Sequence, residues 1–217
     1  MIPTLQEEGR IAHAIESARA AGVEIIVADG GSRDATRERA LAAGARVVSA
    51  EPGRARQLAA GAEAADADAI LFLHADTLLS PGWADAVRGA LADPAVVGGA
   101  FRFRFAEPGL LLRLVEWGVR ARLALAGLPY GDQALFVRRS ALSAIGGVPQ
   151  AELMEDLDLV RALRRRGRLA LLALPAQTSA RRYLAGGVLR TVAKNTLALC
   201  GWALGLDRAR LAAWYRR

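Results

Sequence analysis

The sequence predicts a single α/β domain in which a mostly parallel sheet is flanked by helices, followed by a helical C-terminal region. In the first hundred residues, segments with helical spacing of apolar residues alternate with short apolar runs, the order typical of parallel strands joined by helices. The chain is 53% hydrophobic and 24% charged, as expected for a globular protein with an aliphatic core. No linker or repeat interrupts the sequence, so residues 1–217 are expected to form one domain.

The first half is predicted to alternate helices and strands. Helices are predicted over residues 7–21, 34–43 and 54–65. Strands are predicted over residues 24–28, 45–49, 69–73 and 96–105. A further helix is expected to start at Ser80-Pro81, with serine as its cap and proline in its first turn. Only Ile2 precedes Pro3, so the opening strand is either abbreviated or begins upstream of Met1.

The second half is predicted to be mainly helical. Its elements are a helix over 108–128, a strand over 134–137, a helix over 155–166, an apolar run over 169–174 closed by Pro175, and a helical region over 184–214. Breaks in the last region are expected near Gly201 and Gly205, because glycine weakens a helix.

The net charge of +7 does not indicate binding to nucleic acid. All but one of the 29 basic residues are arginines spread along the chain, and aromatic residues do not alternate with them as a stacking platform requires. The single cysteine, Cys200, cannot form an internal disulfide, and no signal peptide follows Met1. A cytoplasmic protein is therefore expected.

Two apolar segments, 110–128 and 196–206, bear on membrane contact. The first is interrupted by arginines and the second is too short, so neither is expected to span a bilayer. Packing of both segments on the sheet is the favoured interpretation. The alternative is a basic amphipathic surface that docks on anionic lipid at the inner membrane face.

The motif Asp29-Gly30-Gly31-Ser32-Arg33-Asp34 follows a predicted buried strand. A carboxylate at a strand end can accept hydrogen bonds from a nucleotide base or ribose, and the glycines let the backbone approach a ligand. The same residues would also form an ordinary turn and helix cap, so the motif alone leaves both interpretations open.

The motif His74-Ala75-Asp76 follows the apolar run 69–73. A carboxylate two residues from another ligand can hold a divalent ion against a diphosphate; Mg²⁺ and Mn²⁺ prefer oxygen ligands, and imidazole also suits Mn²⁺. If the predicted strand before Asp29 and the run 69–73 are both parallel strands, Asp29 and Asp76 lie at the same sheet edge. They would then serve one nucleotide and its metal ion. Asp66-Ala67-Asp68 precedes the strand and is expected to be a solvated loop at the opposite edge.

Glu155-Asp156 opens the predicted helix over 155–166. A carboxylate that faces a cleft there would act as a general base on an acceptor hydroxyl. Acidic residues in a first helical turn also stabilise the helix dipole, and for this pair alone that simpler interpretation is favoured.

Together these motifs resemble the pattern of glycosyltransferase family 2, with the GT-A fold, over about residues 2–175. Residues 3–8 are similar to that family's opening Pro-x-x-Asn-Glu, 29–34 to its Asp-x-Ser-x-Asp segment, and 53–58 to its basic glycine loop. His74-Ala75-Asp76 falls where its Asp-x-Asp metal motif belongs, and Glu155-Asp156 where its Glu-Asp pair belongs. Residues 72–77, 130–133 and 154–158 look most like a small soluble bacterial subgroup of arsenosugar-biosynthesis-type glycosyltransferases.

The resemblance implies a metal-dependent inverting transferase that moves a sugar from a nucleotide-diphosphate sugar to an acceptor hydroxyl. It implies that Asp156, with Glu155, supplies the catalytic base, and that Asp76 binds Mn²⁺ or Mg²⁺ with His74 in place of the family's first aspartate. Asp132 and Gln133 are expected on the acceptor side. Residues 1–105 would form the nucleotide-binding half and 106–217 the acceptor half. Nucleotide contacts are expected at Pro3, Thr4, Glu7, Asp29, Gly30, Arg54, Arg56, Ala75 and Asp76.

Two other functions stay open. A non-catalytic nucleotide-sugar-binding protein is compatible with the replacement of the first aspartate by His74. A nucleotidyltransferase on a related fold would favour a glycine-rich loop with a basic residue after the first strand, which residues 3–8 lack. A dinucleotide-dependent dehydrogenase is not expected, because no Gly-x-Gly-x-x-Gly follows that strand.

Overall fold

The computed structural model describes residues 1–216 of the chain, and strands alternate with helices up to residue 72. The strands are β1 (Ile2–Thr4), β2 (Ile26–Asp29), β3 (Arg46–Ser49), β4 (Ala69–Phe72), β5 (Thr77–Leu79), β6 (Val96–Phe105), β7 (Leu135–Arg138) and β8 (Arg168–Thr178). The helices are α1 (Ile11–Ser17), α2 (Thr36–Ala42), α3 (Arg54–Glu63), α4 (Trp83–Leu91), α5 (Leu110–Ala126), α6 (Arg139–Ala144), α7 (Glu155–Arg164), α8 (Arg181–Gly186), α9 (Val188–Ala203) and α10 (Arg208–Arg216). A 3-10 helix, Gly131–Gln133, precedes β7.

The first half of the sheet is parallel. β1 pairs with β2, and β2 pairs with β3. Two hydrogen bonds join Met1, the residue before β1, to β4 and the residue after it: the Met1 nitrogen donates to the Leu71 carbonyl (2.7 Å), and the Leu73 N–H donates to the Met1 carbonyl (3.0 Å). This is the bonding pattern of parallel neighbours, and it joins a three-stranded sheet, β3-β2-β1, to a five-stranded sheet, β4-β7-β6-β8-β5. The strand order of the combined sheet reverses at β1.

The second half of the sheet is mixed. β7 lies antiparallel between β4 and β6, while β8 runs parallel to β6 and antiparallel to β5. The prediction that Pro175 closes the last apolar run is wrong, since β8 continues to Thr178. The β6–β8 register shifts between Phe101 and Arg102, which places Pro175 at an irregularity where its missing N–H is tolerated.

Helices cover both faces of the sheet. On one face, Ile11 of α1, Ala40 of α2 and Val87 of α4 share a buried apolar cluster. On the other face, a second cluster joins residues of α3, α6 and α7, including Leu58 and Leu159. The predicted α/β class, with a parallel sheet flanked by helices, is confirmed, and the antiparallel pairings of β5 and β7 add to it.

Several predicted helix boundaries differ from the structure. α4 begins at Trp83 after Gly82, and the Ser80 hydroxyl donates to the Pro175 carbonyl (2.8 Å) instead of capping the helix. Gly201 lies within α9, where close packing against Leu211 favours a residue without a side chain. The C-terminal region breaks near Gly205 as predicted. β5 and α6 were not predicted from the sequence. Within residues 1–216, no helix combines the length and apolar character needed to cross a membrane.

Candidate active site

The carboxyl ends of β1, β2 and β4 meet at one edge of the sheet. Thr4 and Asp29 end β1 and β2 and lie opposite each other in register, while His74 and Asp76 follow β4. Because the strand order reverses between β1 and β4, this edge is the topological switch point where open α/β sheets bind ligands. The two acidic motifs therefore share an edge, as predicted. Asp68 is exposed and precedes β4, as expected for a solvated loop.

Asp29 is fully buried, and only one of its two carboxylate oxygens accepts hydrogen bonds from the described residues. Its Oδ2 accepts hydrogen bonds from the Gly31 and Ser32 N–H groups and from Arg37, each at 3.1 Å. Burial opposes ionisation, but the hydrogen bonds from Ser32, Arg37 and Gly31 outweigh it and hold the pKa of Asp29 below its ordinary value. Asp29 Oδ1 and the neighbouring Thr4 Oγ1 are buried without a hydrogen-bond partner among the described residues. Unpaired buried polar atoms are costly, so this pair indicates a polar ligand.

Glu7 and Asp76 share one guanidinium. Arg181, the first residue of α8, donates to Glu7 Oε1 and lies 3.5 Å from Asp76 Oδ2. Burial raises the pKa of Asp76, and Arg181 only partly opposes this. Among the described residues Glu7 Oε2 has no hydrogen-bond partner, and Arg10 Nη1 lies 3.6 Å from it. Arg181 therefore bridges the two carboxylates, and one oxygen of Glu7 keeps its capacity to accept a hydrogen bond.

A second ion-pair cluster joins α3 to α7. Arg54 donates to Glu155, and its Nη2 lies 3.3 Å from Asp156 Oδ2. Asp156 Oδ2 also accepts from the Gly131 N–H (2.7 Å), while Oδ1 accepts from the Leu157 N–H (2.9 Å). Burial opposes the charge on Arg54, but the Glu155 and Asp156 carboxylates outweigh it and raise its pKa. Both carboxylates are thus held in a fixed orientation beside the 3-10 helix.

The His74 imidazole faces this second cluster. A Cβ atom added to Gly131 would lie 3.0 Å from His74 Nε2 and 3.1 Å from Asp156 Oδ2, so the close approach favours glycine. Burial and the Arg54 charge lower the pKa of His74 to about 3, with Asp156 acting in the opposite direction. The imidazole is therefore neutral at neutral pH, the form that can ligate a metal ion.

The carboxyl of Asp132, in the 3-10 helix, has a raised pKa. Burial raises its pKa to about 6, Arg122 opposes the rise, and Asp156 and Asp76 contribute through their charges. Asp132 Oδ1 and Arg122 Nε and Nη2 are buried without hydrogen-bond partners among the described residues. The Arg122 guanidinium lies 3.3 Å from the centre of the Tyr130 ring. Unpaired donors and acceptors in one place indicate a surface for a polar substrate.

Backbone strain accompanies these turns. Ala134 (φ 49°) follows the 3-10 helix, and Met154 (φ 61°) precedes Glu155. Non-glycine residues rarely adopt positive φ, and such residues cluster at functional sites. Each strained residue adjoins a segment that carries a buried acid of the site.

The structure corrects two predicted site residues. Gln133 is fully buried: its Nε2 donates to the Phe101 carbonyl (3.0 Å), and its Oε1 accepts from the Tyr130 N–H (3.1 Å). Both ends of the amide are used to hold the turn, so Gln133 does not face an acceptor. Arg56 is exposed, donates to the Pro52 carbonyl and lies 3.5 Å from Glu51 Oε2. Only Arg54 of the two predicted arginines reaches the acidic cluster.

The other predicted nucleotide residues lie at the expected edge. Pro3 lies in β1, and Ala75 is buried directly after β4. The Gly30 N–H donates to the Thr4 carbonyl (3.0 Å), and a Cβ atom on Gly30 would approach Gln57 to 3.0 Å. Gln57 in turn donates to the Thr4 carbonyl (2.7 Å), which holds the end of β1 in place.

Sequence reasoning missed Arg181, Arg122 and Gln57. Arg181 follows the end of β8 at the same sheet edge, and a longer predicted last strand would have indicated it. Two consecutive arginines, Arg181 and Arg182, are also a weak indication in the sequence that a basic residue lies there. Nothing in the sequence distinguishes Arg122 as a site residue, because it is one of several arginines on a helix of mixed composition.

The protein alone does not form a complete metal cage. Within residues 1–216, no group of three or more His, Cys, Asp or Glu side chains is arranged to hold a metal ion. Asp76 nevertheless fits an ion shared with a diphosphate, since Mg²⁺-type sites often use one or two carboxylates together with substrate phosphates.

The family model "Glycosyl transferase family 2" matches residues 1–139, which is more than half of the chain. The chain belongs to glycosyltransferase family 2. The matched segment contains Thr4, Asp29, His74, Asp76 and Asp132, whereas Glu155 and Asp156 follow it. Comparison with curated proteins gives no match.

Solved structures share the fold of this family 2 glycosyltransferase. A mycobacterial protein is 28% identical, with a TM-score of 0.65 over 92% of this chain and 73% of that one. The glucosyl-3-phosphoglycerate synthase of Mycobacterium tuberculosis, in complex with Mn²⁺, UDP-glucose and glycerol 3-phosphate, is 25% identical, with a TM-score of 0.65 over 92% of this chain and 78% of that one. A further complex of the same synthase, with Mn²⁺, UDP-glucose and phosphoglyceric acid, is 23% identical, with a TM-score of 0.68 over 95% and 79%.

Proposed function

We propose that this glycosyltransferase moves a sugar from a nucleotide-diphosphate sugar to an acceptor hydroxyl, in a metal-dependent reaction that inverts the anomeric carbon. The observation that carries the proposal is the gathering of Asp29, Asp76 and Asp156 at the carboxyl edge of the sheet. Each carboxylate has a different environment, as expected for three different tasks. The synthase neighbour that was crystallised with Mn²⁺, UDP-glucose and glycerol 3-phosphate supports this class of donor.

The nucleoside is proposed to bind at the ends of β1 and β2. Asp29 Oδ1 is an unused acceptor, and Thr4 Oγ1 is a hydroxyl that can donate or accept. A base or ribose that offers complementary groups would satisfy both buried atoms. Glu7, which follows β1, is proposed to complete this side of the site.

The diphosphate is proposed to lie beside Asp76. A divalent cation there, Mn²⁺ or Mg²⁺, would neutralise charge on the departing nucleoside diphosphate. Asp76 would hold that cation, and the neutral His74 imidazole is the second proposed ligand. Arg181 lies 3.5 Å from Asp76 Oδ2 and can place its positive charge near the phosphates.

Asp156 is proposed as the base that takes the proton from the acceptor hydroxyl. Its carboxylate accepts hydrogen bonds from Gly131 and Leu157 and is paired with Arg54, which fixes its orientation. A carboxylate has about four lone-pair positions, so capacity remains for the acceptor proton. In this proposal the acceptor hydroxyl attacks the anomeric carbon on the face opposite the leaving diphosphate, which would give inversion.

Asp132 is the second candidate for the base, because its Oδ1 is unpaired and its pKa is raised to about 6. The two candidates give different pH profiles. If Asp132 is the base, kcat/KM rises with pH through about 6, and Asp132→Asn abolishes both this limb and the activity. If Asp156 is the base, Asp156→Asn lowers kcat by ~10²–10⁴ while Asp132→Asn has a smaller effect.

The proposed donor site is tested by thermal unfolding with UDP, GDP, CDP and dTDP, each with and without Mn²⁺. A ligand at 100 times its Kd stabilises the folded state by about 2.7 kcal/mol. We expect a Mn²⁺-dependent shift with one nucleotide, lost in Asp76→Asn and kept in Asp68→Asn, a matched change at the opposite sheet edge. No shift with any nucleotide, or an unchanged shift in Asp76→Asn, would contradict the proposed site.

Binding without turnover would instead support a non-catalytic nucleotide-sugar-binding protein. The specific observation in favour of that alternative is the absence of a three-residue metal cluster among residues 1–216. Membership of the arsenosugar-biosynthesis-type subgroup stays a prediction, which identification of donor and acceptor would test.

A further inference from the structure

The solvent-facing side of α5 is apolar from Leu110 to Leu125. Leu110, Leu114, Trp117 and Leu125 have relative exposures of 78%, 59%, 65% and 89%. Their spacing of four, three and eight residues places them along one side of the helix. Large apolar groups usually lie on the buried side, yet here they form an exposed stripe, which we call the α5 stripe. Contiguous exposed apolar surface marks a site of interaction.

The neighbouring helix α9 repeats this character. α9 packs against α5 and exposes Leu189 (73%) and Leu197 (58%), with Leu204 (78%) directly after its last residue. The helix beside α5 therefore also carries exposed apolar side chains.

The exposed charges of both helices are basic. The only acidic residue in α5, Glu116, is buried and accepts hydrogen bonds from Arg113 (2.7 Å) and from the Phe105 N–H (2.9 Å). α9 contains no acidic residue among its described positions and exposes Arg190. Arg120 is also exposed, and its guanidinium lies 4.6 Å from the centre of the Trp117 ring. An apolar stripe bordered by arginines and an aromatic ring suits the boundary between lipid headgroups and acyl chains.

The α5 stripe could be covered by a second copy of the chain or by an anionic bilayer, and the basic charges favour the bilayer. Two copies of the chain meeting through α5 would bring like charges together, because each copy presents only basic exposed side chains there. An anionic bilayer presents the opposite charge, and each basic residue near such a surface contributes to binding. We propose that α5, with α9 beside it, docks this enzyme on the surface of an anionic membrane.

Docking through α5 has a consequence for the substrate. Tyr130 and the 3-10 helix Gly131–Gln133 follow α5 closely, and Arg122 of α5 stacks on Tyr130. The acceptor side of the site is therefore adjacent in the fold to the docking helix. If the proposed transferase function holds, the acceptor is a hydroxyl compound that the membrane carries.

The test is flotation of the full chain with vesicles, without nucleotide or acceptor. Vesicles of phosphatidylcholine alone are compared with equimolar phosphatidylcholine and phosphatidylglycerol, at low and high salt. Leu114→Asp is the test variant and Leu41→Asp on α2 is its matched control, because both leucines are 59% exposed. Circular dichroism melting of each variant checks that it is folded.

We expect flotation with the anionic vesicles that weakens at high salt, since screening reduces surface electrostatics. Leu114→Asp should lower the partition coefficient between vesicles and water about tenfold or more. The reason is that the variant loses the transfer of one leucine side chain from water into the lipid. Leu41→Asp should float like the unmodified chain. Arg120→Glu should weaken binding to the anionic vesicles.

Three results would overturn the docking proposal. The first is no flotation of the unmodified chain with anionic vesicles, or equal flotation with neutral ones. The second is equal flotation of Leu114→Asp and Leu41→Asp. The third is a dimer by light scattering that Leu114→Asp converts to a monomer, which would show that a second copy covers the stripe. None of these results depends on turnover, so they leave the proposed transferase function to its own test.

Discussion

Asp132→Asn should stabilise the protein, and by more at high pH than at low pH. Burial raises the pKa of the Asp132 carboxyl from its ordinary 3.8 to about 6, so the folded state disfavours the ionised form. A tenfold change in proton affinity corresponds to about 1.4 kcal/mol, and the ionised carboxylate therefore costs the folded state about 3 kcal/mol at pH 8. At pH 4 the group is largely protonated in the folded state and about half protonated when unfolded, so the cost falls below about 1 kcal/mol.

The assay is urea unfolding of the unmodified chain and of Asp132→Asn at pH 8 and pH 4. The difference between the two proteins isolates Asp132, because other groups such as His74 titrate in both. Asp66→Asn, in the exposed loop before β4, is the control and should change the free energy of unfolding by no more than about 0.5 kcal/mol at either pH. A stabilisation by Asp132→Asn that is equal at the two pH values, or a destabilisation at pH 8, would refute the reasoning.

Three further predictions concern catalysis and binding. Asp156→Asn should lower kcat by ~10²–10⁴ in steady-state assays and leave the Kd for nucleotide within a factor of two or so, since a general base contributes to the chemical step; unchanged turnover would remove Asp156 from that role. Gly131→Ala should lower kcat with little loss of stability, because its Cβ would lie 3.0 Å from His74 Nε2 and 3.1 Å from Asp156 Oδ2; full activity would show that this turn tolerates displacement. Asp76→Asn should weaken Mn²⁺-dependent nucleotide binding measured by calorimetry, whereas binding of nucleotide alone should change little.

The position of the site could be predicted from the sequence because it depends on local patterns. Asp29 and Asp76 each follow a short apolar run, and parallel strands bring their carboxyl ends to one edge. The assignment of Asp66-Ala67-Asp68 to the opposite edge follows from the same geometry, and its exposure confirms the solvated loop.

The contacts within the site could not be predicted, because they join distant parts of the chain. Arg54 and Glu155 are 101 positions apart, and Arg181 reaches Glu7 across 174. Arg181 comes to the site only because β8 continues through Pro175, and the sequence suggested that proline ends the strand. The sequence places Gln133 on the acceptor side, because a polar residue in a turn gives no sign that it is buried. In the structure both ends of its amide form hydrogen bonds within the protein.

The most direct measurement of the central claim is turnover with product analysis. The chain is incubated with UDP-glucose and with the corresponding GDP, CDP and dTDP sugars, Mn²⁺, and a panel of acceptors that includes phosphoglycerate, glycerol 3-phosphate and membrane lipid. Proton NMR then gives the anomeric configuration of the product. We predict release of nucleoside diphosphate with one donor, formation of a glycoside of inverted configuration, and loss of both in Asp156→Asn. Tight Mn²⁺-dependent nucleotide binding with no glycoside formed from any pair, or a product of retained configuration, would contradict the account.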